Sequence, residues 1–129
     1  MQVGVKAFIQ NEKGEYLFLR RVQAMVDETE PHWDIPGGRI NPEEGLIEAL
    51  TREINEETGL TLASNPILLD ALDIIREKIE LHVVRLVYTV QTTGTPVLSE
   101  EHQEIAWMSR DEALAANTDP FTRKSLLKL

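Results

Sequence analysis

The chain has 129 residues, 42% hydrophobic and 27% charged, enough for a single well-filled domain over residues 1–129 and too few for two. Its net charge of −9, from 13 basic and 22 acidic residues, argues against a nucleic acid polymer as partner. There is no cysteine for a disulfide or a thiolate-held zinc, no apolar run fit to span a bilayer and no signal-peptide pattern, so a cytoplasmic protein without a membrane partner is expected.

Val3, Val5, Ala7 and Ile9 alternate with Gly4, Lys6, Phe8 and Gln10, the period of a strand. Residues 11–15 form a turn, and Tyr16 to Arg21 is a second strand, so a hairpin is expected. Arg20 and Arg21 point to opposite faces. One of them is a candidate for substrate phosphate, since a guanidinium matches phosphate oxygens with paired donors; the alternative is two surface arginines. Residues 22–31 are polar and irregular, with Asp27, Glu28 and Glu30 close together, and read as a mobile loop at the rim of a site. His32 to Ile35 is a short strand, with Trp33 a packing residue or else a platform that stacks on a base, and His32 at a strand edge or else a general base.

Gly37 and Gly38 open a loop, Pro42 suits a first helical turn and Gly59 a left-handed stop, which predicts a helix from Pro42 to Thr58. Leu46, Ile47, Leu50 and Ile54 gather into a stripe fit for burial. Glu53, Glu56 and Glu57 stand at i, i+3 and i+4, and Ala49 one turn earlier offers no bulk to obstruct them. Their charges repel one another and oppose the dipole of the helix C-terminus. A hard divalent cation removes that conflict, whereas the bland reading is a solvated acidic face.

The stretch 38–60 resembles the signature of the Nudix hydrolase family. Gly38, Glu44, Arg52, Glu53, Ile54, Glu56, Glu57, Gly59 and Leu60 fill every specified position. A chance match is on the order of 10⁻⁷, which outweighs the solvated-face reading.

Beyond the motif, Pro66 to Ile75 reads as a strand, 76–78 as a hairpin turn and Leu81 to Val90 as a long central strand. His82 at its start reads as structural. Residues 92–96 are a loop, and Ile105, Trp107 and Met108 a short strand. Ser109 with Glu112 is a capping box for a helix through Ala116, and Pro120 opens a last helix.

The resemblance implies an α/β fold, a Nudix-type α/β/α sandwich with a mixed β-sheet. It implies hydrolysis of a phosphoanhydride in a nucleoside diphosphate linked to another moiety, with Mg²⁺ as cofactor and Mn²⁺ as substitute. Metal candidates are Gly38 through its carbonyl, Glu53, Glu56, Glu57 and Glu101; catalytic candidates are Glu53, Glu57 and Glu101. Glu100 and Glu104 compete with Glu101, and His102 either orients a carboxylate or is an exposed histidine. Glu44, Arg52 and Gly59 carry structural roles: Arg52 restrains a carboxylate or pairs with Glu48, Glu44 complements the dipole, and Gly45 lets the backbone pack closely. Compact members of MutT type make a nucleoside triphosphate the leading small phosphorylated substrate, cleaved to a nucleoside monophosphate and pyrophosphate. ADP-ribose hydrolysis and non-catalytic nucleotide sensing are the alternatives. Asn117 or Asp119 are candidates for base recognition, and a homodimer is compatible with this reading.

Overall fold

The computed structural model describes residues 1–22, 30–100 and 102–129. In chain order the elements are β1 (Gln2–Ile9), β2 (Tyr16–Arg21), β3 (Trp33–Asp34), β4 (Gly37–Arg39) and α1 (Leu46–Thr58). They continue with β5 (Thr61–Leu62), β6 (Ile67–Arg76), β7 (Leu81–Val90), β8 (Thr92–Thr93), β9 (His102–Met108), α2 (Arg110–Ala115) and α3 (Pro120–Leu126). A mixed sheet runs β4-β1-β7-β6, with β1 and β7 parallel and the outer pairs antiparallel. A second sheet runs β3-β2-β9, and β5 pairs with β8.

β1 has a helix layer on each side. Val5, Ala7 and Ile9 pack with Ala49, Leu50 and Ile54 of α1, while Phe8 packs with Ala113 and Leu126 of α2 and α3. Each fully buried Leu, Ile or Phe among them contributes about 2 kcal/mol of transfer free energy. This is the expected α/β/α sandwich with a mixed sheet. The capping box at α2 is present, with Ser109 Oγ accepting from Glu112 N–H at 3.1 Å and Glu112 Oε1 from Ser109 N–H at 3.0 Å. Among the described residues no helix is long and apolar enough to cross a membrane.

Three local expectations are corrected. β1 and β2 do not form a hairpin ladder: the Gln10–Tyr16 bridge and the bond from Asn11 N–H to the Glu15 carbonyl join their ends, and β2 pairs along its length with β9. Both strands are buried on both faces, so they separate into two sheets rather than share one. The motif helix starts at Leu46 rather than Pro42, because Glu43 adopts φ +66° and a left-handed residue cannot continue a right-handed helix. Its buried face is turned from the expected stripe. Leu46 and Ile47 are exposed, while Ala49, Leu50, Ile54, Glu57 and Thr58 are buried. The stop holds, with Gly59 at φ +73°.

Candidate active site

Two backbone features place the motif carboxylates. Gly37 lies so close to β1 that a Cβ there would stand 2.0 Å from the Val5 carbonyl oxygen. Its N–H therefore points toward α1 and donates to Glu57 Oε1 at 2.9 Å. At Gly38 a Cβ would stand 2.7 Å from the carboxyl atoms of Glu53, so the absent side chain is the space that carboxylate occupies. Side-chain exposure rises from 11% at Glu57 and 15% at Glu53 to 59% at Glu56.

Burial pushes the Glu57 carboxyl up to about 7 against the pull of Lys6 and the Gly37 N–H, and the hydrogen-bonded Glu53 adds to the rise. Arg52 holds the cluster from its other side. It donates to Glu44 at 2.7 and 2.9 Å, to Glu53 at 2.8 Å, to Glu56 at 3.2 Å and to the Arg39 carbonyl at 3.2 Å. Glu44 is thus an anchor for Arg52 rather than a dipole partner, and hydrogen bonds from Arg52 and from Asn41 N–H bring its carboxyl down to about 2. Glu48 is not the partner of Arg52. It accepts the Gly45 N–H at 3.1 Å and so caps the helix, and a Cβ on Gly45 would meet only ordinary contacts, so close packing is not its role.

The carboxylates line a cavity of about 700 Å³ together with Arg21, His32 and Glu100. A second charged group, Lys6, Asp34, Arg85 and Asp119, lines the same cavity, with Lys6 opposite Gly37 in the β1–β4 pairing. The whole stretch 1–129 matches the NUDIX domain.

The chain belongs to the Nudix family. Members of that family are pyrophosphohydrolases. The MutT NUDIX hydrolase of Burkholderia pseudomallei superposes with a TM-score of 0.87 at 29% identity, over 99% of this chain and 97% of that one. Escherichia coli NudI, named as a nucleoside triphosphatase, is 32% identical over 103 residues, 73% of each chain. A candidate 8-oxo-dGTP diphosphatase of Bacillus subtilis is 40% identical over 60 residues, so the match spans 46% of this chain and 36% of that protein.

Within this Nudix cavity the two arginines part company. Arg21 lines the cavity. Arg20 pairs with Glu104 and lies 5.2 Å from the centroid of the Trp33 ring, so both it and Glu104 are held by the second sheet. Trp33 packs against the cluster around Phe8 and Phe18, as its packing reading expects. Glu101 and most of the 22–31 loop lie outside the described residues. Asn117 is exposed, with its amide donating to Glu30 at 3.1 Å and to the Pro31 carbonyl at 3.4 Å, whereas Asp119 is buried and caps α3. His82 meets Asp73 at 2.8 Å on the surface, a structural place. His102 is 8% exposed, so the exposed-histidine reading does not hold.

Sequence reasoning missed the charged group around Asp34. Lys6 donates to Asp34 Oδ2 at 3.3 Å and to the Ile35 carbonyl at 3.1 Å. Arg85 reaches Thr122 Oγ1 at 3.0 Å, Asp119 at 3.5 Å and Asp34 at 3.7 Å, and the Thr122 hydroxyl donates to Asp34. Burial raises the Asp34 carboxyl, but Lys6, Arg85, the Thr122 hydroxyl and the Ile35 N–H outweigh it and bring it to about 2. The available signal was a charge inside an apolar strand: Arg85 within Leu81–Val90 and Lys6 within Gln2–Ile9.

Among the described residues, no three His, Asp or Glu side chains converge as a ready metal site. The donor set nonetheless fits a hard cation. Glu57 lies on the Gly37 N–H, Glu53 rests on the adjacent Gly38 backbone, and all the donors are oxygens.

Proposed function

We propose that the chain is a divalent-cation-dependent nucleoside triphosphate pyrophosphohydrolase, releasing a nucleoside monophosphate and pyrophosphate. One observation carries the reading: Glu53 and Glu57 are pressed together on the Gly37–Gly38 backbone at one wall of a cavity that Arg21 also lines. Like-charged acids held so tightly are stabilised by a ligand of opposite sign. Support for a triphosphate comes from NudI, which is named as a nucleoside triphosphatase.

Glu53, Glu56, Glu57 and the Gly38 carbonyl would hold Mg²⁺, with Mn²⁺ as substitute, and Glu101 is the further ligand that the sequence motif suggests. Bound there, the cation supplies charge stabilisation at the phosphates and a more acidic water. Arg21 is assigned to the substrate phosphates, where its paired donors match two oxygens. Arg52 keeps Glu53 and Glu56 in place through its hydrogen bonds. Glu53 or Glu101 takes the proton of the attacking water, and Glu57 is the third catalytic acid of the set. Base recognition is assigned to Asp119, which lines the same cavity.

The test is a panel of nucleoside triphosphates, ADP-ribose and dinucleoside polyphosphates assayed with Mg²⁺, with products resolved by chromatography. Pyrophosphate and monophosphate from a triphosphate are expected. Turnover of ADP-ribose alone would replace the substrate assignment, and nucleotide binding without turnover would favour a sensing domain.

A further inference from the structure

His102 begins β9, on the sheet that does not contain Gly37 and Gly38. It is nonetheless buried against the motif helix. Its Nδ1 lies 3.0 Å from Ser99 Oγ, and its Nε2 lies 3.6 Å from Glu57 Oε2. The other oxygen of Glu57 accepts the Gly37 N–H at 2.9 Å. Glu57 is therefore bracketed, with a backbone donor at one oxygen and an imidazole edge at the other.

When Glu57 is ionised, as it would be on holding a cation, its carboxylate accepts only; an N–H at Nε2 suits it, and Nδ1 can then accept from the Ser99 hydroxyl. At 3.6 Å the contact is longer than a hydrogen bond. It acts by favouring one orientation of the carboxylate over others. Groups that hold a ligating carboxylate in this way typically change metal affinity about 10- to 100-fold when lost.

We propose that His102, held by Ser99, is a positioning residue that sets the orientation of Glu57 and thereby the cation affinity of the site. This rests on the reading of Glu57 as a cation ligand. It adds a tie between the two sheets: the segment entering β9 and the C-terminal turn of α1 meet at this contact.

Two substitutions separate positioning from packing. In His102→Gln the side-chain amide can stand where Nε2 stands and face Glu57. In His102→Asn the shorter amide can replace only the nitrogen that faces Ser99. Three readouts on the full chain decide the matter: the Gly37 amide proton shift in the metal-free protein, Mn²⁺ affinity by electron paramagnetic resonance, and kcat against KM. His102→Asn should move the Gly37 shift, weaken Mn²⁺ binding about tenfold and lower kcat with little change in KM. His102→Gln should recover most of each loss. Ser99→Ala, which leaves the imidazole in place, should give a smaller shift in the same direction and serves if His102→Asn does not fold.

Equal losses in both histidine variants, or none in either, would overturn the proposal. Should the unsubstituted protein bind no Mn²⁺, the metal-dependent reading fails, while the Gly37 shift still decides whether His102 orients Glu57.

Discussion

The two charged groups lining the cavity carry charge in opposite ways. On the motif helix Glu53, Glu56 and Glu57 bring three carboxylates together; Arg52 reaches two of them, while Glu57 rests on a backbone N–H and beside an imidazole, with Lys6 drawing on it from β1. In the second group Lys6 and Arg85 face Asp34 and Asp119, so cations and anions alternate. That group is balanced by its own residues. The first keeps an excess of acid, a repulsion that the proposed cation would remove. Similar residue types in one cavity are thus paired in one group and crowded in the other.

Breaking the balanced group should have the largest effect. Arg85→Met leaves Asp34 and Asp119 short of a buried partner, and urea unfolding should report a loss of about 3 kcal/mol or more. Stability equal to wild type would erase the contrast between the two groups. In the acidic group Glu57→Gln should behave in the opposite sense. Turnover with Mg²⁺ should fall at least about 10²-fold, near 2.7 kcal/mol, while the metal-free protein keeps or gains stability because a repulsion is relieved. Wild-type rates in this variant would remove Glu57 from the site.

Acid separates the two groups further. The folded Asp34 carboxyl titrates near 2, below its ordinary 3.8, so its contribution is complete above about pH 4 and lost as the pH falls through 2. Unfolding of the wild type and Asp34→Asn should differ by about 2 kcal/mol at pH 5, and the gap should close toward pH 2. A gap that does not depend on pH would mean that Asp34 acts by shape rather than charge. The smallest effect is expected from Gly38→Ala. Its new Cβ meets only the movable end of Glu53, so the melting temperature should hold while turnover drops about tenfold.

What the sequence revealed was local. The Ser109–Glu112 box, the Asp119–Pro120 start of α3 and the Gly59 stop each depend on neighbours within a turn, and each stands where the pattern put it. The motif glutamates were legible because their spacing is helical. Pro42 misled because the turn around it is closed by Glu44, whose Oε1 accepts the Asn41 N–H at 2.9 Å, and this defers the helix to Leu46. The pairing of β2 with β9 and the meeting of Lys6, Asp34, Arg85 and Thr122 join residues far apart in the chain, and no local pattern encodes such meetings. His102 was half legible: its neighbourhood was suspect, but its burial against Glu57 depends on how β9 packs.

The parallel pairing of β1 with β7 has a consequence for how the molecule is made. Gln2 finds Val83 and Ile9 finds Val90, so β1 leaves the ribosome well before its partner exists. Such distant pairing slows folding and leaves an apolar strand open to wrong neighbours meanwhile. Newly made chains should therefore depend on chaperones more than a helical bundle of equal length does, and a circular permutant that brings these two strands close in sequence should refold faster.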